Sequence, residues 1–376
     1  MIQKAYKYRI YPNASQKEYF AKCFGCVRFF YNKSLSDMKD IYEKDKKYED
    51  ITPAKYKSDY PFLKEVDSLA LANAQLNRNA AYKSFFRGKN SFPKYKSKRN
   101  DQSFSTNNQN GTVSFSSNNK YLNIPKCKNI KVKKHRDFIG DIKTVTISRT
   151  TDEKYYVSIL VNVDGNNTSK IKESNHVIGI DMGLKSFIVT SEGKKYTNPK
   201  YFTKSQNRLA KEQRKLSHMV KGSNNRNKQR IKVARLHRKI QNQRNDYLHK
   251  LSTKLINENQ VICLETLNVK DMESNSKLAK NIVDASWAKF ISLLQYKARW
   301  NDRIVIQVPS NYPSSQICAT CGYQNKITKD LSIRKIVCPK CGTSYDRDVN
   351  AAKNILNKGL ELLKAGTQPV SSLILD

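Results

Sequence analysis

Acid is scarce in this chain. Its 376 residues include 32 Asp and Glu against 70 Lys and Arg, a formal net charge of +38. An excess of that size repels itself in a compact fold, and a polyanionic partner is the economical way to offset it. No stretch approaches the roughly 20 apolar residues of a membrane span, which sets membrane insertion aside. The opening MIQKAYKYRIYP alternates like a strand and lacks the apolar core of a secretion signal. Histidine is rare too: the five (His135, His176, His218, His237, His249) include no close His-x-His pair to grip a metal. The expectation is a cytosolic protein that faces nucleic acid.

Cysteine is present but unevenly spread. Of the eight, Cys127 and Cys263 stand alone, and Cys23 and Cys26 lie in a helical pattern with no second pair to complete a metal site. Cys318-Ala-Thr-Cys321-Gly and Cys338-Pro-Lys-Cys341-Gly are different: two knuckles separated by 16 residues. In a reducing compartment four thiolates in two CxxC turns indicate metal rather than disulfides. They meet the tetrahedral demand of one structural zinc, and Gly322 and Gly342 permit the tight turns. With four protein ligands no position is left open for catalysis. An iron–sulfur cluster is the minor alternative.

Along the chain, Lys4–Ile10 reads as a strand, and Ser15 with Glu18 three residues on reads as a helix start. Tyr42–Tyr60 reads as a charged loop, and Ser68–Phe86 as a second helix. Phe85–Arg99 interleaves Arg87, Lys89, Lys94, Lys96, Lys98 and Arg99 with Phe85, Phe86, Phe92 and Tyr95, uninterrupted by acid. Bases can stack on such rings while the cations meet phosphates; the alternative is a solvated loop whose rings pack on the core. Period-two alternation then marks Val113–Ser116, Tyr121–Ile124, Lys143–Ile147 and Tyr155–Val163 as a small antiparallel sheet or barrel, which the first strand could join. A linker follows at Asp164–Lys170. Residues 201–250 hold 15 Lys and Arg against 2 acids, with an apolar stripe of Val233, Leu236, Ile240, Tyr247, Leu251 and Leu255. The basic face, with Arg214, Lys215, Arg226, Arg230, Arg235 and Arg238, suits a sugar–phosphate backbone.

Three acids stand out against this basic background. Val177–Ile180 ends in Asp181 and returns through Phe187–Val189 as a hairpin, and Gln260–Leu264 repeats the design, ending in Glu265. A helix at Ser286–Trp300 and a strand at Arg303–Val308 complete an α/β succession. After the second knuckle, DRDVNAAKNIL opens a helix, with Asp346 and Asp348 at its start. Either could be a plain N-cap. Facing Asp181 and Glu265, Asp348 would complete a set of hard oxygen ligands for two Mg²⁺ or Mn²⁺ ions, suited to phosphodiester hydrolysis. Asp181 would bridge the ions, with Glu265 and Asp348 holding one each.

IGIDMGLKSF, ICLETLNVKDM, the SSQICATCG…CPKCG ribbon and DRDVNAAKNIL, in this order, resemble the TnpB (OrfB) family of transposon-encoded proteins, to which type V CRISPR effectors are also similar. YKYRIYPNASQKEYFAKCFGCVRFFYN and RKLSHMVKGSNNRNKQRIKVARLHRKI extend the likeness over nearly the whole chain. The resemblance implies a RuvC (RNase H-like) nuclease domain with an inserted zinc ribbon, preceded by a wedge β-barrel that carries a helical recognition insertion. Its boundaries fall as follows: wedge strand 1–13, recognition helices 14–101, wedge barrel 102–170, nuclease 171–317, ribbon 318–341, last nuclease helix 342–364 and tail 365–376. It further implies an RNA-guided DNA endonuclease of the prokaryotic cytosol or nucleoid. The guide RNA would come from the transposon end, and the target would be double-stranded DNA beside a short flanking motif. A monomer with its RNA is the expected state. By motif matching, Asp181, Glu265 and Asp348 fall on the nuclease positions.

Two other functions are open to such a chain. A strand-transfer transposase of the kind that accompanies such genes uses a Tyr nucleophile and paired His, and the missing His-x-His counts against it. A regulator or accessory protein that binds without cleaving shares the charge and the ribbon but has no need of the three acids together.

Overall fold

The computed structural model describes residues 2–46, 49–163, 175–267, 284–325 and 333–366. The chain divides into two compact units between Asn167 and Thr168; the expected linker lies wholly outside the described residues, as does most of the expected tail.

The first unit runs β1 (Ile2–Tyr11), α1 (Ala14–Asp45), α2 (Ser68–Phe86), β2 (Gln102–Asn107), β3 (Ser114–Phe115), β4 (Tyr121–Ile124), β5 (Cys127–Lys133), β6 (Asp141–Arg149) and β7 (Tyr155–Val163). Its strands form one antiparallel sheet in the order β2-β6-β7-β1-β5-β4-β3. The first strand therefore sits mid-sheet, paired with β7 from Ile2↔Val163 to Ile10↔Tyr155 and with β5 on its other side. β2 and β3 remain edges, so of the expected sheet or barrel the structure forms an open half-barrel sheet. The helix α1 packs into it: Phe20 meets Phe104 and Tyr155 at ring separations of 6.0 and 5.9 Å, and Phe24 meets Phe104 at 5.6 Å. Cys23 and Cys26 are buried in that core, as expected of packing residues.

Three local readings change. The cap of α1 is Asn13, not Ser15: its side chain accepts from the Gln16 N–H while Gln16 returns a bond to the Asn13 N–H. The helix also continues through Tyr42 to Asp45, into the expected loop. The strands β2 and β5 escape the alternation test. QSFSTN buries only Phe104 and Thr106, and in β5 Asn129 takes φ 56°, which inserts an extra exposed position between buried Cys127 and Ile130.

The second unit runs β8 (Val177–Met182), β9 (Ser186–Thr190), β10 (Lys195–Thr197), α3 (Tyr201–Ser217), α4 (Asn224–Glu258), β11 (Val261–Glu265), α5 (Trp287–Trp300), β12 (Ile304–Val308), β13 (Lys335–Val337), β14 (Ser344–Asp346) and α6 (Arg347–Lys364). Its main sheet has the order β10-β9-β8-β11-β12, with β8, β11 and β12 parallel and β9 and β10 antiparallel. Helices cover both faces, which is why VIGI and VICL read as continuous apolar runs. Ile178, Ile180, Ile262 and Leu264 meet α5 and the C-terminal half of α4, whereas Val261, Cys263 and Ile306 meet α6. The stripe on α4 is divided: Val233 and Ile240 pack with Leu209 of α3, and Leu251 and Leu255 reach the sheet core.

On the α6 face two glycines set the distance. A Cβ on Gly179 of β8 would stand 2.0 Å from the Ala352 carbonyl oxygen, and one on Gly359 of α6 would stand 2.3 Å from Cys263 Sγ. The helix therefore lies directly on β8 and β11, and its N-terminus comes to the strand ends that carry the acids.

Candidate metal centres and nucleic-acid surfaces

The parallel register pairs Val261 with Val177 and Leu264 with Ile180, an offset of 84 residues (261 − 177). Continued by one residue, it sets Glu265 beside Asp181. Both lie on the sheet face that meets α6, since Ile180 and Leu264 just before them point into the opposite core.

At the start of α6 the two candidate acids part company. Asp346 is the cap: its Oδ1 accepts from the Asp348 and Val349 N–H groups at 3.0 and 3.2 Å, and its Oδ2 pairs with Lys195 at 2.7 Å. Those bonds hold the Asp346 carboxyl below its ordinary range despite its partial burial. Asp348 makes no cap bond of its own side chain and turns to two arginines instead. Its carboxylate takes Arg334 Nη1 at 2.7 Å on both oxygens, with Arg347 Nη2 at 3.1 Å from Oδ1.

Asp181 keeps part of its surface open yet is closely surrounded by protein. That burial raises its pKa from 3.8 to about 7, helped by the charges of Glu265 and Asp348 and opposed by Arg347 and Arg334. Burial also raises Glu265. Asp181 thus feels the charge of both other carboxylates, although the arrangement of the three is more open than the ribbon's. Among the described residues, the four ribbon thiols are the one group of three or more Cys, His, Asp or Glu whose ligand atoms all lie within 4.8 Å of one another.

In the ribbon the two knuckles repeat one geometry. Gly322 and Gly342 take φ 73° and 72°, and their N–H groups bond back to Cys318 O and Cys338 O, each at 2.9 Å. The Sγ atoms of Cys318 and Cys341 stand 3.8 Å apart, and those of Cys321 and Cys338 3.6 Å. Four sulfurs at zinc–thiolate bond lengths would be about 3.8 Å apart, so the set fits tetrahedral zinc. The ribbon extends past Cys341 through the hairpin β13–β14, whose last residue is Asp346 itself. Asn350 and Asn354, one turn apart on α6, tie its base down. Asn350 accepts from the Ala319 N–H at 2.8 Å and donates to Ile317 O at 2.6 Å, and Asn354 donates to Ser314 O at 2.8 Å. Sequence reasoning missed these asparagines and both arginines. The available signal was a buried amide pair spaced i, i+4 on an otherwise apolar face.

Of the expected nucleic-acid contacts, Arg87, Lys89, Lys94, Lys96, Lys98 and Arg99 are exposed, beside exposed Phe86, Phe92 and Tyr95. On α3 and α4, Arg214, Lys215 and Arg235 are exposed, while Arg226, Arg230 and Arg238 are half-buried. Glu212, one of the two acids there, is buried against Gln229 and Lys232 at 2.7 and 3.0 Å, so it does little to relieve the basic surface. No helix among the described residues is long and apolar enough to cross a membrane.

Three family models match the chain. One described as "Probable transposase" covers residues 157–276, a "Cas12f1-like, TNB domain" covers 287–355, and a "Helix-turn-helix domain" covers 1–47. The last falls on a strand and one uninterrupted helix, β1 and α1. A Streptomyces pristinaespiralis protein carried as a candidate RNA-guided DNA endonuclease is 35% identical, over 97% of this chain and 91% of its own. An Escherichia coli K12 counterpart of similar description is 30% identical, over 96% and 94%. In fold, the chain is similar to the protein of a Cas12f1–guide RNA–target DNA complex, with a TM-score of 0.61 at 15% identity, over 95% of this chain and 99% of that one. These full-length relatives, with the family models over both units, show that the chain belongs to the OrfB (TnpB) family of insertion-sequence proteins.

Proposed function

We propose that the chain is an RNA-guided DNA endonuclease encoded with an insertion sequence, and that its second unit is a RuvC-type, RNase H-like nuclease domain interrupted by the ribbon. What supports this reading is the placement of the acids: the parallel register, continued by one residue, sets Asp181 beside Glu265, and Asp348 at the helix start acts on Asp181. The names of the relatives, and the guide RNA and target DNA bound by the structural neighbour, supply the substrate class.

The residues suit hard divalent ions. Burial raises Asp181 to about 7, and the neighbouring charges of Glu265 and Asp348 add to the rise; carboxylate oxygens grouped in this way are the donors that hard divalent ions take. Asp181, Glu265 and Asp348 would hold divalent ions such as Mg²⁺ or Mn²⁺. Bound ions of this kind activate water and stabilise the leaving oxygen of a phosphodiester. The chain's own part is to fix the acids: strand register aligns Asp181 with Glu265, and the Asp346 cap frees Asp348. One structural zinc holds the ribbon through Cys318, Cys321, Cys338 and Cys341, and the ribbon in turn is anchored by Asn350 and Asn354. In the first unit the half-barrel with its α1 and α2 insertion serves as wedge and recognition elements for guide RNA and the flanking DNA motif. The exposed cations of 87–99 and of α3 and α4 contact phosphates.

The test is to purify the chain expressed with the DNA flanking its gene, sequence the RNA that accompanies it, and challenge it with a DNA library matched to that RNA. A discrete RNA and Mg²⁺-dependent cuts in matched DNA are expected. Sequence-defined cutting by the nuclease-treated, RNA-free chain would overturn guidance.

A further inference from the structure

Arg334 opens the ribbon hairpin, and the backbone fixes it there. Its carbonyl oxygen accepts the Arg347 N–H at 2.8 Å, next to the Lys335↔Asp346 pair of the β13–β14 ladder. From that position its Nη1 spans both oxygens of Asp348 at 2.7 Å. Arg347 also reaches Oδ1, with Nε at 3.3 Å and Nη2 at 3.1 Å. One carboxylate thus faces two guanidinium groups, although one would balance its charge.

The two arginines differ in freedom. Arg347 belongs to α6 and its side chain is 8% exposed, whereas that of Arg334 is 35% exposed and rises from the ribbon. A divalent ion entering beside Asp348 meets the Arg334 cation at close range, where like charges repel strongly in a partly desolvated cleft. Burial holds Arg347 in place, whereas Arg334 has solvent on one side to move into.

We propose that Arg334 is a metal-gating positioning residue: it occupies the Asp348 carboxylate in the free chain and must be displaced before a divalent ion can bind there. The inference rests on reading Asp348 as a metal ligand. It gives the ribbon a second task, because the hairpin that its four cysteines brace holds the gate in place. Metal occupancy at the acids is thereby linked to a contact made by the ribbon rather than to the acids alone.

The test is Mn²⁺ binding, followed by the EPR signal of free Mn²⁺, to the full zinc-loaded chain freed of nucleic acid. Arg334→Gln removes the competing cation and should bind Mn²⁺ at least threefold more tightly than the wild type, a direction that mere structural damage would not produce. Arg334→Lys keeps the charge on a more strongly hydrated head and should fall between the two. Zinc content and melting temperature report on folding. If Arg334→Gln loses zinc, Arg334→Lys decides the matter. Affinity equal to or weaker than wild type in the folded variant overturns the gate. Asp181→Asn separates the two layers of the argument. If it binds Mn²⁺ as the wild type does, the acid site itself is wrong; if it loses Mn²⁺ while Arg334→Gln is indifferent, only the gate is wrong.

Discussion

Function and stability pull apart at Asp181. Its carboxyl holds a proton to about pH 7 in the folded chain, against an ordinary value of 3.8, because it is buried beside Glu265 and Asp348. Between those values the unfolded chain has released this proton and the folded chain has not. The folded state binds more protons, so this residue's contribution to stability falls as pH rises through the window. The metal-free Asp181→Asn variant should therefore melt above wild type at pH 8, by about 1 kcal/mol or roughly 2–4 °C, and match it near pH 4. Saturating Mn²⁺ should reverse the order, since only the wild type gains binding energy; thermal scans at the two pH values, with and without the ion, check both. The acids at 181 and 265 were legible because each ends an apolar run, and their 84-residue separation equals the strand register. Arg334 was not legible: one arginine among 70 basic residues has no pattern until the hairpin brings it to Asp348.

Among the elements, α6 joins the two candidate metal centres: Asn350 and Asn354 hold the ribbon, Asp348 opens the helix near Asp181, and Gly359 lets the helix lie on β11. Gly359→Ala would ordinarily favour a helix by about 1 kcal/mol. Here the new methyl would sit 2.3 Å from Cys263 Sγ, and overpacking of that kind costs about 1–3 kcal/mol. A net loss of stability is expected in denaturant titration, with Cys263→Ala in the same chain restoring part of it. Cys338→Ser should reduce zinc below one ion per chain and lower the melting temperature; unchanged zinc stoichiometry would contradict the tetrahedral reading. The elements read best from sequence were those with strong periodicity, such as β7 with every second residue buried, and α5. The edge strand β2 and the bulged β5 were missed. One buries too few apolar residues to show a period, and the other has its period broken by Asn129.

For the whole molecule, the charge of +38 is the most telling number. Acid is absent from the exposed 87–99 segment and scarce in the α3–α4 hairpin, and the one buried acid of that hairpin is itself paired with Lys232. Binding to nucleic acid should accordingly weaken steeply with salt, by three or more decades between about 50 and 200 mM, and filter binding at a series of ionic strengths measures this. The identity of the guide and the motif beside the target were never legible, since phosphate-directed cations record no base sequence.

On our proposal Asp181 anchors a metal-dependent nuclease site in an RNA-guided enzyme. The most direct test is cleavage of guide-matched DNA by the RNA-loaded Asp181→Ala variant in Mg²⁺, beside the wild type. No detectable cutting is expected from a variant that still carries its RNA and its zinc; cutting at the wild-type rate would show that Asp181 is not part of the nuclease site.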